Sequence, residues 1–185
     1  GTKDSDYVVG LDIGTSKVVC IIGRYVDQHS LEVVSMGSYP SSGLKKGVVV
    51  NIDATTDAIQ KSIDQAQASF EGKIKNVYVG IAGNHIRSLN SHGIVGIKDK
   101  EVEASDIDRV IEAAQAVAIP SDQRVLHVLP QEYVIDNQDS IREPLGMSGV
   151  RLESHVHLVT CANNAIQNIE KCVKRCGIGV DGFVL

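Results

Sequence analysis

The chain has 185 residues, of which 18 are basic and 23 acidic, for a net charge of −5 at neutral pH, and 43% are hydrophobic. So mild an acidity, with no Lys/Arg cluster, gives no bulk attraction to nucleic acid or anionic lipid. The longest apolar run, Val18–Ile22, has five residues, against roughly 20 for a spanning helix. A core of this size allows one large domain or two small ones.

Residues 1–6 are polar and lead straight into a strand pattern, so no signal peptide is expected. Three β-patterned runs open the chain, Tyr7–Ile13, Lys17–Val26 and Leu31–Tyr39, joined by connections of hairpin length. They predict an antiparallel meander. Pro40 and Ser41-Ser42-Gly43 break the pattern, and a short extended run follows at Gly47–Val50. Asp53 is placed to cap a helix running to about Phe70, with Ile59, Ile63, Ala66 and Phe70 on one stripe and Gly72 ending it. Val77–Ala82 is too short for a helix and reads as a buried strand. Meander, crossover helix and buried strand together predict an α/β layer on a mixed sheet.

The character changes after Gly83. Residues 85–98 carry two short β-like stretches around His92-Gly93, and Ser105 with Asp108 offers a capping-box-like start to a second helix. Its stripe is Ile107, Val110, Ile111, Ala114 and Val117, and Pro120 stops it. Two long extended stretches follow, Arg124–Asp136 and Val150–Cys161, joined by a polar connection over Asn137–Gly149. A helix with antiparallel strands and no crossover predicts a small α+β subdomain over residues 85–159, inserted into a first subdomain of residues 1–84 and 160–185. Asn163 or Asn164 caps the last helix, with Ile166, Ile169, Val173 and Cys176 buried and Gly177 at C′. A final strand starts at Val180, and its abrupt end at Leu185 is read as a cut.

The segment with most chemistry is Gly10-Leu11-Asp12-Ile13-Gly14-Thr15-Ser16-Lys17, in a strand–turn–strand context that excludes the Walker and Rossmann readings. Gly14 lets backbone approach a large anion, and successive N–H groups in the turn form an anion nest. Thr15 and Ser16 add hydroxyls, Lys17 adds a point charge, and Asp12 suits a hydrated Mg²⁺ held through water. An ordinary Gly-Thr-Ser hairpin with Asp12 bonded to its own turn stays open as the alternative.

This loop resembles the first phosphate loop of the actin, chaperone and sugar-kinase superfamily. Ser42–Gly47, Val77–Gly83, His127–Asp136, Gly146–Glu153 and Val156–Cys161 narrow the resemblance to the FtsA family of bacterial division proteins, over nearly the whole chain. The resemblance implies an actin-like (ribonuclease H-like) fold whose small subdomain is the insert. It also implies Mg-ATP as ligand of Asp12, Gly14, Thr15, Ser16 and Lys17, no direct metal ligand, and at most weak ATPase activity. Implied partners are FtsZ, further copies of the chain, and later division proteins docking on residues 85–159. The implied location is the cytoplasmic face of the inner membrane at the division site, reached through a C-terminal helix. The family's second phosphate loop, adenosine segment, FtsZ-binding subdomain and membrane helix would all follow Leu185, so an N-terminal fragment is expected that holds ATP weakly or not at all.

His155 and His157 share a strand face with Glu153, a metal-compatible spacing without a fourth ligand, so solvated or hydrogen-bonded histidines are expected. Gln131-Glu132 beside Pro130 predicts an exposed edge strand meeting a partner. Cys20, Cys161, Cys172 and Cys176 form no C-x-x-C pair and read as reduced thiols of a cytoplasmic protein. A sugar or acetate kinase and a PilM- or MreB-like assembly protein are the competing readings. The first half offers no substrate-binding Asp or Lys constellation for a kinase.

Overall fold

The computed structural model describes residues 6–83 and 86–185, with the side chains of Val117 and Ala118 outside that description. The stripe position at Val117 and the boundary between residues 84 and 85 lie outside the described residues. The chain forms two compact units, one holding the described residues up to 83 together with Asn164–Leu185, the other Ile86–Asn163.

In the first unit, β1 (Tyr7–Ile13), β2 (Lys17–Tyr25) and β3 (Leu31–Pro40) form an antiparallel meander. β1 and β2 pair without a break from Tyr7↔Arg24 to Ile13↔Val18. Two further strands, β4 (Leu44–Lys45) and β5 (Val48–Val49), make a small hairpin of their own. Helix α1 (Ile52–Gln67) then carries the chain to β6 (Asn76–Gly80), which lies parallel to β1. The helix starts and stops earlier than its pattern suggests. Asn51 is the cap, its side-chain oxygen accepting from Ala54 N at 3.0 Å, because a cap must stand outside the first turn, where Asp53 already lies. Ala68 closes the other end, and Phe70 lies beyond it, edge-on to Tyr7 with ring centroids 4.8 Å apart.

The described chain ends with helix α3 (Asn163–Arg175) and strand β11 (Gly179–Val184), parallel to β6, so the mixed sheet runs β11-β6-β1-β2-β3. Ile166, Ile169 and Val173 on α3 are buried, Lys174 and Arg175 occupy its negative end, and Gly177 takes φ +75 just after it. Asn163 is the first residue of α3, and its amide oxygen accepts from Arg124 Nε at 3.2 Å. Leu11, Val18, Cys20, Ile22, Ile59, Val77 and Val79 make the core.

The second unit holds β7 (Ile86–Gly96), α2 (Ala104–Ala118), β8 (Gln123–Ile135), β9 (Gln138–Ile141) and β10 (Arg151–Ala162), with sheet order β7-β10-β8-β9. Every pairing is antiparallel and α2 covers one face. Three sequence expectations change here. β7 is one strand, not two, because Gly93 is a contact point rather than a turn. A Cβ there would lie 2.6 Å from Ala114 N and inside contact with Val110 O, so the missing side chain lets α2 press onto the sheet. The helix start also shifts: Glu103 is the cap, and its N–H donates to the buried Asp106 carboxylate at 2.9 Å. Ser105 and Asp108 lie inside the helix.

The third change concerns β8, which is not an edge along its whole length. The connection read as polar loop contains β9, which pairs with Tyr133 and Ile135 after a tight turn in which Asp136 takes φ +55. Pro130 survives beside β10 because the pairing slips a residue between His155 and Val156, leaving Gln131 unpaired. A bulge removes the demand for a ladder N–H as well as an edge does.

Candidate functional site

The carboxyl end of β1 and the start of β2 bring all five predicted residues onto one hairpin. Gly14 N donates to Lys17 O at 3.1 Å, closing the turn, and a Cβ on Gly14 would stand 2.9 Å from the same oxygen. Thr15, Ser16 and Lys17 are exposed. Among the described residues the Thr15 and Ser16 N–H groups have no hydrogen-bond partner, so two donors of the turn are available to an anion. Asp12 is exposed, paired across the sheet with Val19 on one side and Gly80 on the other. The Cβ that Gly80 lacks would sit 3.5 Å from Asp12 Oδ1, so any larger residue at position 80 would stand against the carboxylate.

Two contributors escaped the sequence reading. Gly80 stood in it only as part of a buried strand. Ser41, treated as a strand breaker, donates its N–H to Ser16 O at 2.9 Å, and its hydroxyl is buried without a partner among the described residues. The signal for both was register: Asp12 pairs with Gly80, and Lys17 pairs with Pro40, which sets the next residue against the loop. Beyond Ser41, the β4–β5 turn holds Lys46 at φ +53 and Gly47 at φ +80, with Gly47 pressed against Ala82 O. Such a two-residue turn needs left-handed backbone at both positions, and Lys is an uncommon first member.

In the second unit His155 Nδ1 lies 3.4 Å from Glu132 Oε1 and its Nε2 lies 3.7 Å from Glu153 Oε1. His157 Nδ1 is 2.9 Å from Asn90 Oδ1. Among the described residues no group of three or more His, Cys, Asp or Glu is placed to hold a metal ion. No described helix is long and apolar enough to cross a membrane.

Residues 83–160 match the SHS2 domain inserted in FtsA. Cell division protein FtsA of Pseudomonas aeruginosa is 66% identical over 96% of the chain, and that of Escherichia coli is 41% identical over 98%. The chain belongs to the FtsA family. FtsA of Neisseria meningitidis, 51% identical over 97% of the chain, agrees. The chain spans 43% of the length of each of these three FtsA relatives. Among solved structures, the PilM–PilN type IV pilus biogenesis complex superposes with a TM-score of 0.62 at 14% identity, over 96% of this chain and 47% of that one. At that identity the likeness concerns fold alone, which is actin-like: an FtsA mixed-sheet subdomain interrupted by a small α+β insert.

Proposed function

We propose that this chain supplies the first phosphate loop of an ATP-binding FtsA scaffold. The observation that carries the reading is the β1–β2 turn, where two unpartnered N–H groups, two hydroxyls and Lys17 stand beside the Asp12 carboxylate. Gly14, Thr15 and Ser16 would hold phosphate oxygens through backbone and hydroxyl donors, Lys17 would neutralise charge, and Asp12 would orient a hydrated Mg²⁺. When bound, Mg-ATP supplies the phosphate charge that the turn receives. Hydrolysis, if the full protein performs it, is weak.

The same reading gives the full-length protein an ATP-dependent self-association, a link from FtsZ filaments to the cytoplasmic face of the inner membrane at the division septum, and recruitment of later division proteins through residues 85–159. Identity to division proteins in three organisms supports a division role.

Calorimetry with Mg-ATP tests the loop. A nucleotide held from one face keeps much of its surface in water, so this chain should bind weakly or not at all. A sub-micromolar affinity would overturn that expectation. In a protein of full FtsA length, Asp12→Ala and Lys17→Ala should each weaken ATP binding about tenfold or more, Lys17 through lost charge and Asp12 through lost metal positioning. Unchanged affinity in both would remove the loop from the site.

A further inference from the structure

Residues 41–47 run across the end of the first sheet that carries the phosphate loop. β1, β3 and β6 all finish at that end, because β1 lies parallel to β6 and both β1 and β3 lie antiparallel to β2. β3 stops at Pro40, opposite Lys17, so the chain leaves the sheet beside the start of β2. Ser41 N then donates to Ser16 O at 2.9 Å, which ties the segment to one flank of the loop. Gly43 O accepts from Val50 N at 2.8 Å and from Asn51 N at 3.1 Å, holding its middle at the entry to α1. At its far end Gly47 leaves no room for a Cβ beside the Ala82 carbonyl oxygen. Ala82 lies just past β6, whose last residue, Gly80, is the partner of Asp12. In the strand order β6-β1-β2-β3, residues 41–47 therefore form a strap from the β2 flank of the loop to its β6 flank.

This strap carries two local costs. The Ser41 hydroxyl is buried without a partner among the described residues, a state that folded chains avoid. Lys46, at φ +53, is the one non-glycine residue with positive φ among the described residues of the first unit, in a conformation that glycine, asparagine and aspartate adopt more readily. Unpaired buried polar groups and left-handed side-chain-bearing residues concentrate at binding sites. The charge is one-sided as well. Lys45 and Lys46 are exposed and have no ion-pair partner among the described residues. Residues 12–17 and 41–47 together hold three lysines, Lys17, Lys45 and Lys46, and one carboxylate, Asp12. That balance is positive wherever lysine and aspartate are both ionised, so it needs no group to titrate near neutrality.

We propose that the strap completes the phosphate site, with Lys46 binding the terminal phosphate of the nucleotide and making the site selective for ATP over ADP. The proposal rests on the reading of the β1–β2 turn as a phosphate loop. Lys46 adjoins Gly47 and so belongs to the Asp12 flank, where a hydrated Mg²⁺ would meet the terminal phosphates. Its flexible four-carbon stem ends in a compact charge with three donors, which suits a phosphate group approached from one side. Glycine at position 46 would relax the turn but bring no charge, which gives a reason for a lysine in a left-handed position. A triphosphate offers this flank one phosphate more than a diphosphate does. Ser41 is a positioning residue: its N–H fixes the Ser16 carbonyl, and with it the peptide plane that leads into Lys17.

The test is calorimetry with Mg-ATP and Mg-ADP on a protein of full FtsA length. Lys46→Gln, at an exposed position, should weaken ATP binding about tenfold and ADP binding less than about twofold. Lys46→Arg should recover most of the ATP affinity, since it restores the charge. Lys45→Gln, one residue away, is the control for unspecific charge and should cost less than about threefold for either nucleotide. Three results would overturn the proposal: full ATP affinity in Lys46→Gln, equal losses of ATP and ADP, or an equal loss in Lys45→Gln. Lys17→Ala separates this reading from the one beneath it. If Lys17→Ala weakens ATP binding and Lys46→Gln does not, the strap is wrong and the phosphate loop stands. If neither does, the loop itself fails and the strap with it.

Discussion

Replacing Gly93 with alanine adds one methyl group to β7, and the structure says where it must go. The new Cβ would lie 2.6 Å from Ala114 N and within contact of Val110 O, whereas ordinary van der Waals contact begins at 3.4 Å. Both atoms belong to the backbone of α2, so no side-chain rotation relieves the overlap. The helix must retreat by roughly an ångström, which forfeits a large part of the dispersion contact around it. Val110 and Ala114, both fully buried, are the side chains that lose their seat. An overpacking penalty of about 2–3 kcal/mol follows, or a fall in Tm of about 4–12 °C for a chain of this size. Gly96 is the control, on the same strand, where a Cβ would meet nothing within 4 Å. Gly96→Ala should change stability by less than about 1 kcal/mol, and upward if at all, since alanine restricts the unfolded chain. Thermal and urea unfolding followed by circular dichroism measures both. If Gly93→Ala melts with the wild type, or Gly96→Ala costs as much, α2 does not rest on this glycine.

Ile111→Asp places a carboxylate among the side chains that α2 packs against Val102, Ile135 and Leu152; it should cost about 3 kcal/mol, and wild-type melting would count against the packing of α2. The Asp106 carboxylate is held below its ordinary range first by the Glu103 N–H and then by Arg109. A depressed folded pKa stabilises above the unfolded value of 3.8 and is lost as pH falls through the folded one. The stability gap between wild type and Asp106→Asn should therefore be full at pH 6 and shrink as the pH drops below 4, and a gap independent of pH would contradict it. Burial pushes the thiols of Cys20 and Cys176 up to about 11, so iodoacetamide at pH 8 should leave both largely unmodified until urea unfolds the chain; mass spectrometry reads the difference.

Much of the fold was legible because its periodicities are clean. The strand starts at Tyr7, Lys17 and Leu31, and the buried stripes of α1 and α3, follow from alternation and from i, i+3, i+4 spacing. What sequence missed was decided by contacts between distant segments. Gly93 looks like a turn because glycine usually breaks a strand, yet its role is set by Val110 and Ala114, some twenty residues away. The Glu103–Asp106 cap lost to Ser105–Asp108 on residue type, because serine is the better cap in general, while the register of α2 against the sheet decides which turn comes first. β4 and β9, of two and four residues, are too short for any periodicity to announce them.

The phosphate loop and the open face of the second sheet differ in the same way. The phosphate loop is contiguous: Asp12 to Lys17 are neighbours in sequence and stay neighbours in the fold, so residue type and turn chemistry sufficed to propose it. The open face is assembled across β7, β8, β9 and β10, and its central row joins residues 92, 155 and 132. From sequence, His155 and His157 shared a strand face with Glu153 and lacked a fourth ligand. Their partners became visible only through strand register, which carried Glu132 to one side of His155 and His92 to the other. The bulge that admits Pro130 also matters here. Without the one-residue slip between His155 and Val156, the side chain opposite His155 would be Gln131 rather than Glu132, and the imidazole would lose a carboxylate. Pro130 therefore does more than mark where a ladder bond is missing: the slip around it sets which charge stands at the centre of the open face.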